Sequence, residues 1–447
     1  MEGVSVIMNK PINAFPGYKY IEFGEDGKPH NMYRGTDLGF GGYIISNPGI
    51  YGNVALLDVA SLHPNSAIAM NCFGEYTQNF KDLLDARIAI KHGDFETART
   101  MLGGKLAPFL DDESQAGDLA QALKIAINSV YGLTSAKFDN PFKDPRNKNN
   151  TVALRGSLMM RTLQDEVESR GYKIVAIKTD SIKIADADKE IIDFCMEFAK
   201  KYSYTFEFES YYDRICQIND ADYIARYKDA KYCEENFGFV PKDNKKHEGE
   251  WTATGKQFAV PYVFKTLFSK EPIEFSDLCE TFSVKSALYL DMNESLPDVS
   301  EYEKEVEKLE DKYKKGKLSD ITFETECAKY VDLIAEGHDY HFIGKVGQFT
   351  PIKPGKGGGL LLRQQGEKYY AAANSTGYRW VESEVANAPG NEDNIDMSFY
   401  KNMADKMIDE IDKYGDFEWF VSDDPYTPDL VNTWHVPVDA DDEVPFV

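Results

Sequence analysis

Two acidic residues stand where a strand is predicted to end and where a hairpin is predicted to turn. Asp58 follows the apolar run VALL and opens the segment DVASLHP at residues 58 to 64. Asp180 lies in KTDS, residues 178 to 181, between two segments that are typical of short strands. Carboxylate oxygens are the ligands that Mg²⁺ prefers, and a pair of such ions can stabilise the transition state of phosphoryl transfer.

A third polar segment, KIAINSVYG at residues 124 to 132, places three functional side chains on one face of a predicted helix. Lys124, Asn128 and Tyr131 follow one another at intervals of four and three residues. Taken alone, an acid, a lysine or a tyrosine in such places is typical of a helix cap, a turn or a solvated helix face. Their occurrence together, in this order, is what indicates a functional site.

The elements that must position these residues follow from hydrophobic periodicity and from turn residues. We predict strands at residues 54 to 57, 173 to 178, 181 to 185 and 204 to 209, and helices at 80 to 102, 118 to 132, 151 to 170, 188 to 202, 299 to 317 and 318 to 337. Up to residue 209 the order is strand, helices, strand, strand, helix, strand, which predicts a split βαβ sheet with helices on one face. This order brings Asp58 and Asp180 to the same edge of the sheet.

Composition excludes several classes of protein. The chain has 447 residues, a formal net charge of −25 and 42% hydrophobic residues, enough for a large core. No segment has the ~20 consecutive apolar residues of a membrane span, and the six scattered cysteines form no CxxC pair, so we expect a reduced, cytoplasmic protein without thiolate-bound metal. Residues 381 to 447 contain 18 Asp and Glu against 3 Lys and Arg. A basic groove elsewhere on the chain therefore remains compatible with nucleic acid.

In this order the three segments resemble motifs A, B and C of the family B DNA polymerases, whose patterns are DxxSLYPS, KxxxNSxYG and DTDS. The segment KIAINSVYG agrees with motif B at every specified position. Arg87 and Lys91 resemble the RxxxK pair that precedes motif B in that family. The resemblance extends from about residue 54 to about residue 223. The whole chain is similar to the short polymerase chains of tailed bacteriophages, which implies the cytoplasm of a bacterial host.

The resemblance implies an α+β right-hand polymerase with a split βαβ (ferredoxin-like) palm, fingers formed by a short helical hairpin, and a mixed thumb region. The implied domains are an N-terminal segment (1–53), palm (54–80 and 133–222), fingers (81–132), a thumb and DNA-binding region (223–380) and an acidic C-terminal segment (381–447). The implied activity is the DNA-templated addition of deoxynucleotides to a primer 3′-hydroxyl with release of pyrophosphate, so the implied partners are primer–template DNA and dNTPs.

The same resemblance assigns roles to single residues. Asp58 and Asp180 are implied to be catalytic and, with the main-chain carbonyl of Val59, to hold two Mg²⁺ ions, for which Mn²⁺ can substitute. Further contacts are implied with the nucleotide, from Arg87, Lys91, Lys124, Asn128, Ser61, Leu62 and His63, and with DNA, from Tyr131, Gly132, Ser181 and Tyr223.

The chain also departs from the family pattern. Lys178 replaces the first Asp of DTDS, while Asp180 retains the acid implied to bind metal. His63 replaces the tyrosine that lies under the sugar of the incoming nucleotide in the family, so we expect weaker discrimination against a 2′-hydroxyl.

A second departure concerns the primer end. The basic K-x-Y element of the family falls near DADY at residues 220 to 223, where acids replace the lysines and Tyr223 remains. We expect Lys256 and Lys265 to contact DNA phosphates in their place.

Two features concern partners. Only 57 residues precede Asp58, without a DxE acid pair, so we expect no 3′–5′ exonuclease in this chain and a separate exonuclease chain as a partner. Residues 439 to 447, DADDEVPFV, are similar to the acidic tip of bacterial single-stranded-DNA-binding proteins, which implies replisome partners.

Two alternatives remain open on the residues. One is a catalytically silent, polymerase-shaped DNA-binding scaffold, which Lys178 and the acidic net charge suggest. The other is an RNA-templated or primase-like polymerase, which would share the palm acids but not the KxxxNSxYG pattern.

Overall fold

A computed structural model describes residues 15–140, 142–143, 150–255, 260–293, 299–366 and 368–427. The chain divides into two compact units, residues 1–254 with 411–447, and residues 255–410. Helices and antiparallel sheets occur in both units, which confirms the predicted α+β class. No helix in the described ranges is long and apolar enough to cross a bilayer.

The strands are β1 (Lys19–Ile21), β2 (His30–Tyr33), β3 (Thr36–Asp37), β4 (Ile44–Ser46), β5 (Gly49–Val59), β6 (Lys173–Lys178), β7 (Ser181–Ala185), β8 (Phe206–Gln217), β9 (Tyr223–Tyr227), β10 (Trp251–Thr254), β11 (Glu280–Asp291), β12 (Tyr340–Ile352), β13 (Leu360–Gln365), β14 (Lys368–Ala371) and β15 (Arg379–Glu382). The helices are α1 (Leu62–Ala69), α2 (Thr77–Lys91), α3 (Phe95–Thr100), α4 (Glu113–Thr134), α5 (Thr151–Ser169), α6 (Lys189–Lys200), α7 (Ala230–Phe237), α8 (Lys242–Lys246), α9 (Pro261–Phe264), α10 (Ser300–Lys314), α11 (Asp320–Glu336), α12 (Ser383–Ala386), α13 (Met397–Asp412) and α14 (Phe417–Val421). Short 3₁₀ turns lie at Gly74–Tyr76, Met101–Gly104, Ala107–Phe109, Phe275–Leu278 and Glu392–Asn394, and a π-helical turn lies at Lys265–Ser269.

The first unit is built on a seven-stranded sheet in the order β10-β9-β8-β5-β7-β6-β4. The strand β5 lies between β7 and β8 and pairs antiparallel with both. Helices α1 to α5 connect β5 to β6, and α6 connects β7 to β8. The part β8-β5-β7-β6 therefore has the strand order of a split βαβ sheet.

Alternation along β5 separates the two faces of this sheet. Leu57 packs with Ile182 of β7 and Leu158 of α5 in the main core. Leu56 points to the opposite face, where it packs with a smaller, tyrosine-rich cluster. Because successive side chains of a strand alternate, Asp58 lies on the face of Leu56, away from the helical core.

The structure corrects two predicted helices. The helix expected at 80 to 102 is two helices, α2 and α3, because Gly93 adopts a positive φ of 76° and Asp94 caps α3 by accepting a hydrogen bond from the amide of Thr97. The helix expected to begin at residue 118 begins at Glu113, because the Asp112 carboxylate caps it one and a half turns earlier.

The second unit contains a five-stranded antiparallel sheet in the order β14-β13-β11-β12-β15. Its core is aromatic, with Phe282 and Trp380 in edge-to-face contact at 5.2 Å. The helices predicted at 299 to 317 and 318 to 337 are found as α10 and α11, which pack against each other.

A buried ion-pair network ties the C-terminal part of the first unit to the large sheet. Asp213 accepts hydrogen bonds from Arg214 at 2.9 Å, Arg226 at 2.8 Å and Lys228 at 2.8 Å. The Arg214 side chain is fully buried, and it also donates to the main-chain carbonyl oxygens of Trp419, Phe420 and Asp424. Burial alone would raise the pKa of Asp213, but these cations outweigh it and lower the pKa to about 2.

We expect Asp213→Asn to destabilise the fold by about 3 kcal/mol near pH 7, because it leaves a buried arginine without its counter-ion. The folded pKa lies below the unfolded value, so the stabilisation by Asp213 is present above about pH 4 and is lost as the pH falls towards 2. Denaturant unfolding at several pH values measures both effects. Asp193→Asn, which breaks an exposed pair with Lys189, is the control and should cost less than about 0.5 kcal/mol. Equal losses in the two variants would contradict the prediction.

Candidate active site

One cleft of the first unit contains most of the residues that the sequence singles out. Its volume is about 340 Å³. The strand β5, the helices α1, α2 and α4, the turn between β6 and β7, and the start of β8 all contribute to its walls. The lining residues are Asp58, Val59, Ala60, Ser61, Leu62, His63, Pro64, Arg87, Ile88, Lys91, Lys124, Ile127, Asn128, Asp180 and Glu207.

Main-chain hydrogen bonds tie the two predicted acids to each other. The amide of Val59 donates to the carbonyl oxygen of Asp180 at 2.7 Å. Asp58 pairs with Ser181, the residue that follows Asp180, in the register of β5 and β7. The tight turn before it holds Thr179 at a positive φ of 59°. Both carboxylates therefore lie at one edge of the sheet, which is where the predicted strand order brings them.

Asp58 is partly buried and lies near three other carboxylates. Burial, followed by the carboxylates of Asp180, Glu209 and Glu207, raises the pKa of Asp58 to about 7. A divalent cation would relieve this repulsion, so the donor set suits Mg²⁺. Among the described residues, no three His, Cys, Asp or Glu side chains form a preformed metal cluster. The remaining ligands of a bound cation would therefore come from water, from a bound anion and from main-chain carbonyls such as that of Val59.

The opposite wall of the cleft is basic. On α2, Arg87 donates to the Ser61 hydroxyl at 3.4 Å, and Lys91 pairs with Glu207 at 2.8 Å. On α4, the exposed Lys124 has no ion pair or hydrogen bond to any other residue that the structure describes. A polyanion entering the cleft would thus meet one free ammonium and two cations held by weak or exchangeable contacts.

The His63 imidazole, which lines the cleft, is backed by the phenol ring of Tyr131. The rings of His63 and Tyr131 stack at 4.9 Å with an angle of 10° between them. Burial lowers the pKa of His63, and its buried Nδ1 has no partner in the part of the chain that the structure describes. The Tyr131 hydroxyl donates to Asn150 at 3.2 Å. Leu62 packs against Gly156 of α5, where a Cβ atom would approach Leu62 to 2.8 Å.

The other predicted DNA contacts lie outside the cleft lining. Gly132 is exposed near the end of α4, and the Ser181 hydroxyl donates to the carbonyl of Lys178 at 3.3 Å. Tyr223 begins β9, on the large sheet. Lys265 lies in the second unit, where its ammonium pairs with Asp277 at 3.0 Å. Lys256 and the acidic stretch 439 to 447 lie outside the described residues, so the roles predicted for them stay predictions.

Sequence reasoning missed Glu207. The signal was present, because FEFE at residues 206 to 209 alternates phenylalanine with glutamate, and the glutamates must lie opposite the core. The partner of Glu207 was not predictable, since Asp58 and Lys91 reach it only through the register of β5 with β8 and the packing of α2.

Comparison with known proteins gives a partial likeness to DNA polymerases. No family model matches the chain. The chain is 30% identical over 157 residues to DNA polymerase II of Escherichia coli (strain K12), covering 32% of this chain and 19% of that protein. A similar solved structure is the family B DNA polymerase of the archaeon Pyrobaculum calidifontis, with a TM-score of 0.38 and 10% identity over 82% of this chain and 45% of that one. The chain thus spans about a fifth of the length of the curated relative it matches.

Proposed function

We propose that this chain is a DNA-directed DNA polymerase of the family B type, which extends a primer 3′-hydroxyl with deoxynucleotides and releases pyrophosphate. The observation that carries the proposal is the single cleft in which Asp58 and Asp180 face Arg87, Lys91 and Lys124. Such a cleft matches the charge of a nucleoside triphosphate with its metal ions. The sequence similarity to a DNA polymerase supports the proposal.

In this proposal the large sheet is the palm, α2 and α4 are the fingers, and the second unit supplies the thumb. Asp58 and Asp180, with the carbonyl of Val59, would hold two Mg²⁺ ions. When bound, the ions lower the pKa of the primer hydroxyl and stabilise the charge of the transferred phosphoryl group. Ionised Asp58 is the form that accepts a cation. Burial and the acidic neighbours of Asp58 make its bare carboxylate unfavourable, so replacement of the proton of Asp58 by a metal cation relieves this cost.

The remaining residues bind and orient the substrate. Lys124 would attract the triphosphate, since its ammonium is exposed in the cleft. Arg87 and Lys91 would follow, with Lys91 giving up its bond to Glu207 for a phosphate oxygen. Asn128, one turn after Lys124, and the His63–Tyr131 stack would lie along the base and sugar.

The test is extension of an end-labelled primer by the full chain with Mg²⁺ and four dNTPs. We expect extension that follows the sequence of a DNA template. Extension on RNA templates alone would favour the RNA-templated alternative. Absence of extension on any template, by protein that binds primer–template DNA, would favour the silent scaffold.

His63 leads to a prediction on sugar selectivity. Its imidazole is smaller than the tyrosine of the family pattern, and the stack on Tyr131 holds it at the edge of the cleft. We expect His63→Tyr to lower the use of ribonucleotides relative to deoxynucleotides by about tenfold, a discrimination worth ~1.4 kcal/mol. Competing rNTP and dNTP incorporation measures the ratio. His247→Tyr, outside the cleft lining, is the control, and equal ratios in wild type and His63→Tyr would show that His63 does not set selectivity.

A further inference from the structure

Lys183 on β7 is a buried cation without an anionic partner. Its side chain is 9% exposed, and its ammonium lies 3.5 Å from the centroid of the Tyr223 ring. Within the described residues, no carboxylate forms an ion pair with it and no hydrogen bond reaches its ammonium. Burying an uncompensated charge is costly, and the cation–π contact recovers only part of that cost.

The surroundings of Lys183 disfavour the protonated form of its side chain. Burial, followed by the like charge of Lys178, lowers the pKa of Lys183 to about 7. On β9 and β8, Tyr223 and Tyr212 present phenol groups to one another, and both have pKa values raised by burial. An anion would supply the missing counter-charge.

Strand register places Lys183 on the same face of the sheet as Asp58. Asp58 pairs with Ser181, and Leu56 pairs with Lys183, so all four side chains share the face away from the helical core. Two residues of an antiparallel strand span about 7 Å. In duplex DNA, this length corresponds to the axial rise of about two nucleotides of one strand.

We infer that Lys183 binds a backbone phosphate of the primer strand, within about two nucleotides of its 3′ end. The inference rests on the proposed function, because the end of the primer must reach Asp58 and Asp180. It also explains how a cation lies over Tyr223 although acids replace the family's lysines at residues 220 to 222. The cation over Tyr223 comes from β7, which is separated from β9 in the sheet by β8 and β5, rather than from the residues that precede Tyr223 on β9.

The experiment combines a variant of the full chain with charge removal in the DNA. Lys183→Met keeps the length and apolar contacts of the side chain on Tyr223. A neutral methylphosphonate replaces one of the last two phosphodiesters of the primer or, in a separate duplex, the opposing template phosphodiester. Fluorescence anisotropy measures the affinity for each primer–template at several salt concentrations. Lys173→Met is the matched control, because Lys173 also lies over a tyrosine ring, that of Tyr51, at the far end of β6.

We expect Lys183→Met to weaken binding about fivefold to tenfold at low salt and to reduce the slope of log K against log[salt] by about 0.9. The neutral primer linkage should weaken binding by the wild type and by Lys173→Met, but cause no further loss in Lys183→Met. Equal losses from that linkage in wild type and Lys183→Met, or losses from template linkages instead, would overturn the inference.

The inference can be tested even if Lys183→Met does not fold, because the binding of wild-type protein to primers with neutral linkages already tests it. If Lys183→Met unfolds, Lys183→Arg replaces it and should keep the wild-type salt slope, whereas a reduced slope in Lys183→Arg overturns the inference. A wild type that extends a primer but tolerates neutral primer linkages also overturns it while leaving the proposed function intact. A wild type that neither binds nor extends primer–template overturns both.

Discussion

Replacement of Asp180 by asparagine is expected to lower kcat/KM for primer extension by at least about 10³-fold. The amide keeps the size of the carboxylate and the hairpin turn, whose main-chain bond from Val59 to the carbonyl of Asp180 does not involve the side chain. What it removes is one of the two carboxylates proposed to hold the metal ions, at an edge of the sheet where burial and charge repulsion already raise the pKa of Asp58 to about 7. Steady-state extension of a labelled primer measures the effect.

A matched variant distinguishes the loss of a proposed metal ligand from the loss of one negative charge. Asp220 also lies at an exposed hairpin tip, at the end of β8 opposite to Glu207, so Asp220→Asn should retain activity within about twofold, as is usual for exposed surface sites. Both variants should bind primer–template DNA and unfold at wild-type denaturant concentrations. Extension by Asp180→Asn within tenfold of the wild-type rate would exclude Asp180 as a ligand of the reacting metal ions.

Lys124→Ala is expected to lower kcat/KM for dNTPs by about 10²-fold, with little change in affinity for primer–template. Lys124 is the cation of the cleft that, among the residues the structure describes, is not held by a protein carboxylate or hydroxyl. Its full charge is therefore open to an incoming triphosphate. Single-nucleotide incorporation over a range of dNTP concentrations separates KM from kcat.

The control for Lys124 is Lys105→Ala. Lys105 is exposed in the segment between α3 and α4 and lies outside the cleft lining, so its loss changes net charge equally without removing a cleft cation. We expect wild-type kinetics from this variant. If both alanine variants reduced kcat/KM by the same factor, general charge attraction rather than a direct contact would explain the effect, and the role of Lys124 would be refuted.

Local elements were predictable to within a few residues where neighbours along the chain decide them. The hairpin strands predicted at 173 to 178 and 181 to 185 coincide with β6 and β7, and the helix predicted at 151 to 170 coincides with α5 within one residue. The predicted helix boundaries were wrong where a capping or helix-ending residue, rather than hydrophobic periodicity, decides where a helix starts or stops, as at Gly93 and Asp112. A capping carboxylate stabilises a helix start that hydrophobic spacing does not register.

The candidate site shows the same division. Asp58, Asp180 and Lys124 were visible as polar groups at the ends of apolar runs and on a helix face, and the structure brings them to one cleft. The partners that modify them were not visible. The exchangeable bond between Lys91 and Glu207 joins residues 116 positions apart in the chain, and no local pattern encodes such a pair.

The sequence by itself determined which side chains of each strand share a face, because strand alternation is a local property of the backbone. It thereby determined that Glu207 and Glu209 oppose the core and that Lys183 alternates with Ile182 and Ile184. Only the tertiary structure decided what these side chains meet. The register of β5 with β7 and β8 sets Asp58 beside Glu207 and places Lys183 on its face of the sheet. Register depends on long-range pairing and on bulges such as that between Leu56 and Leu57, and these are settled when the whole sheet and its core pack together.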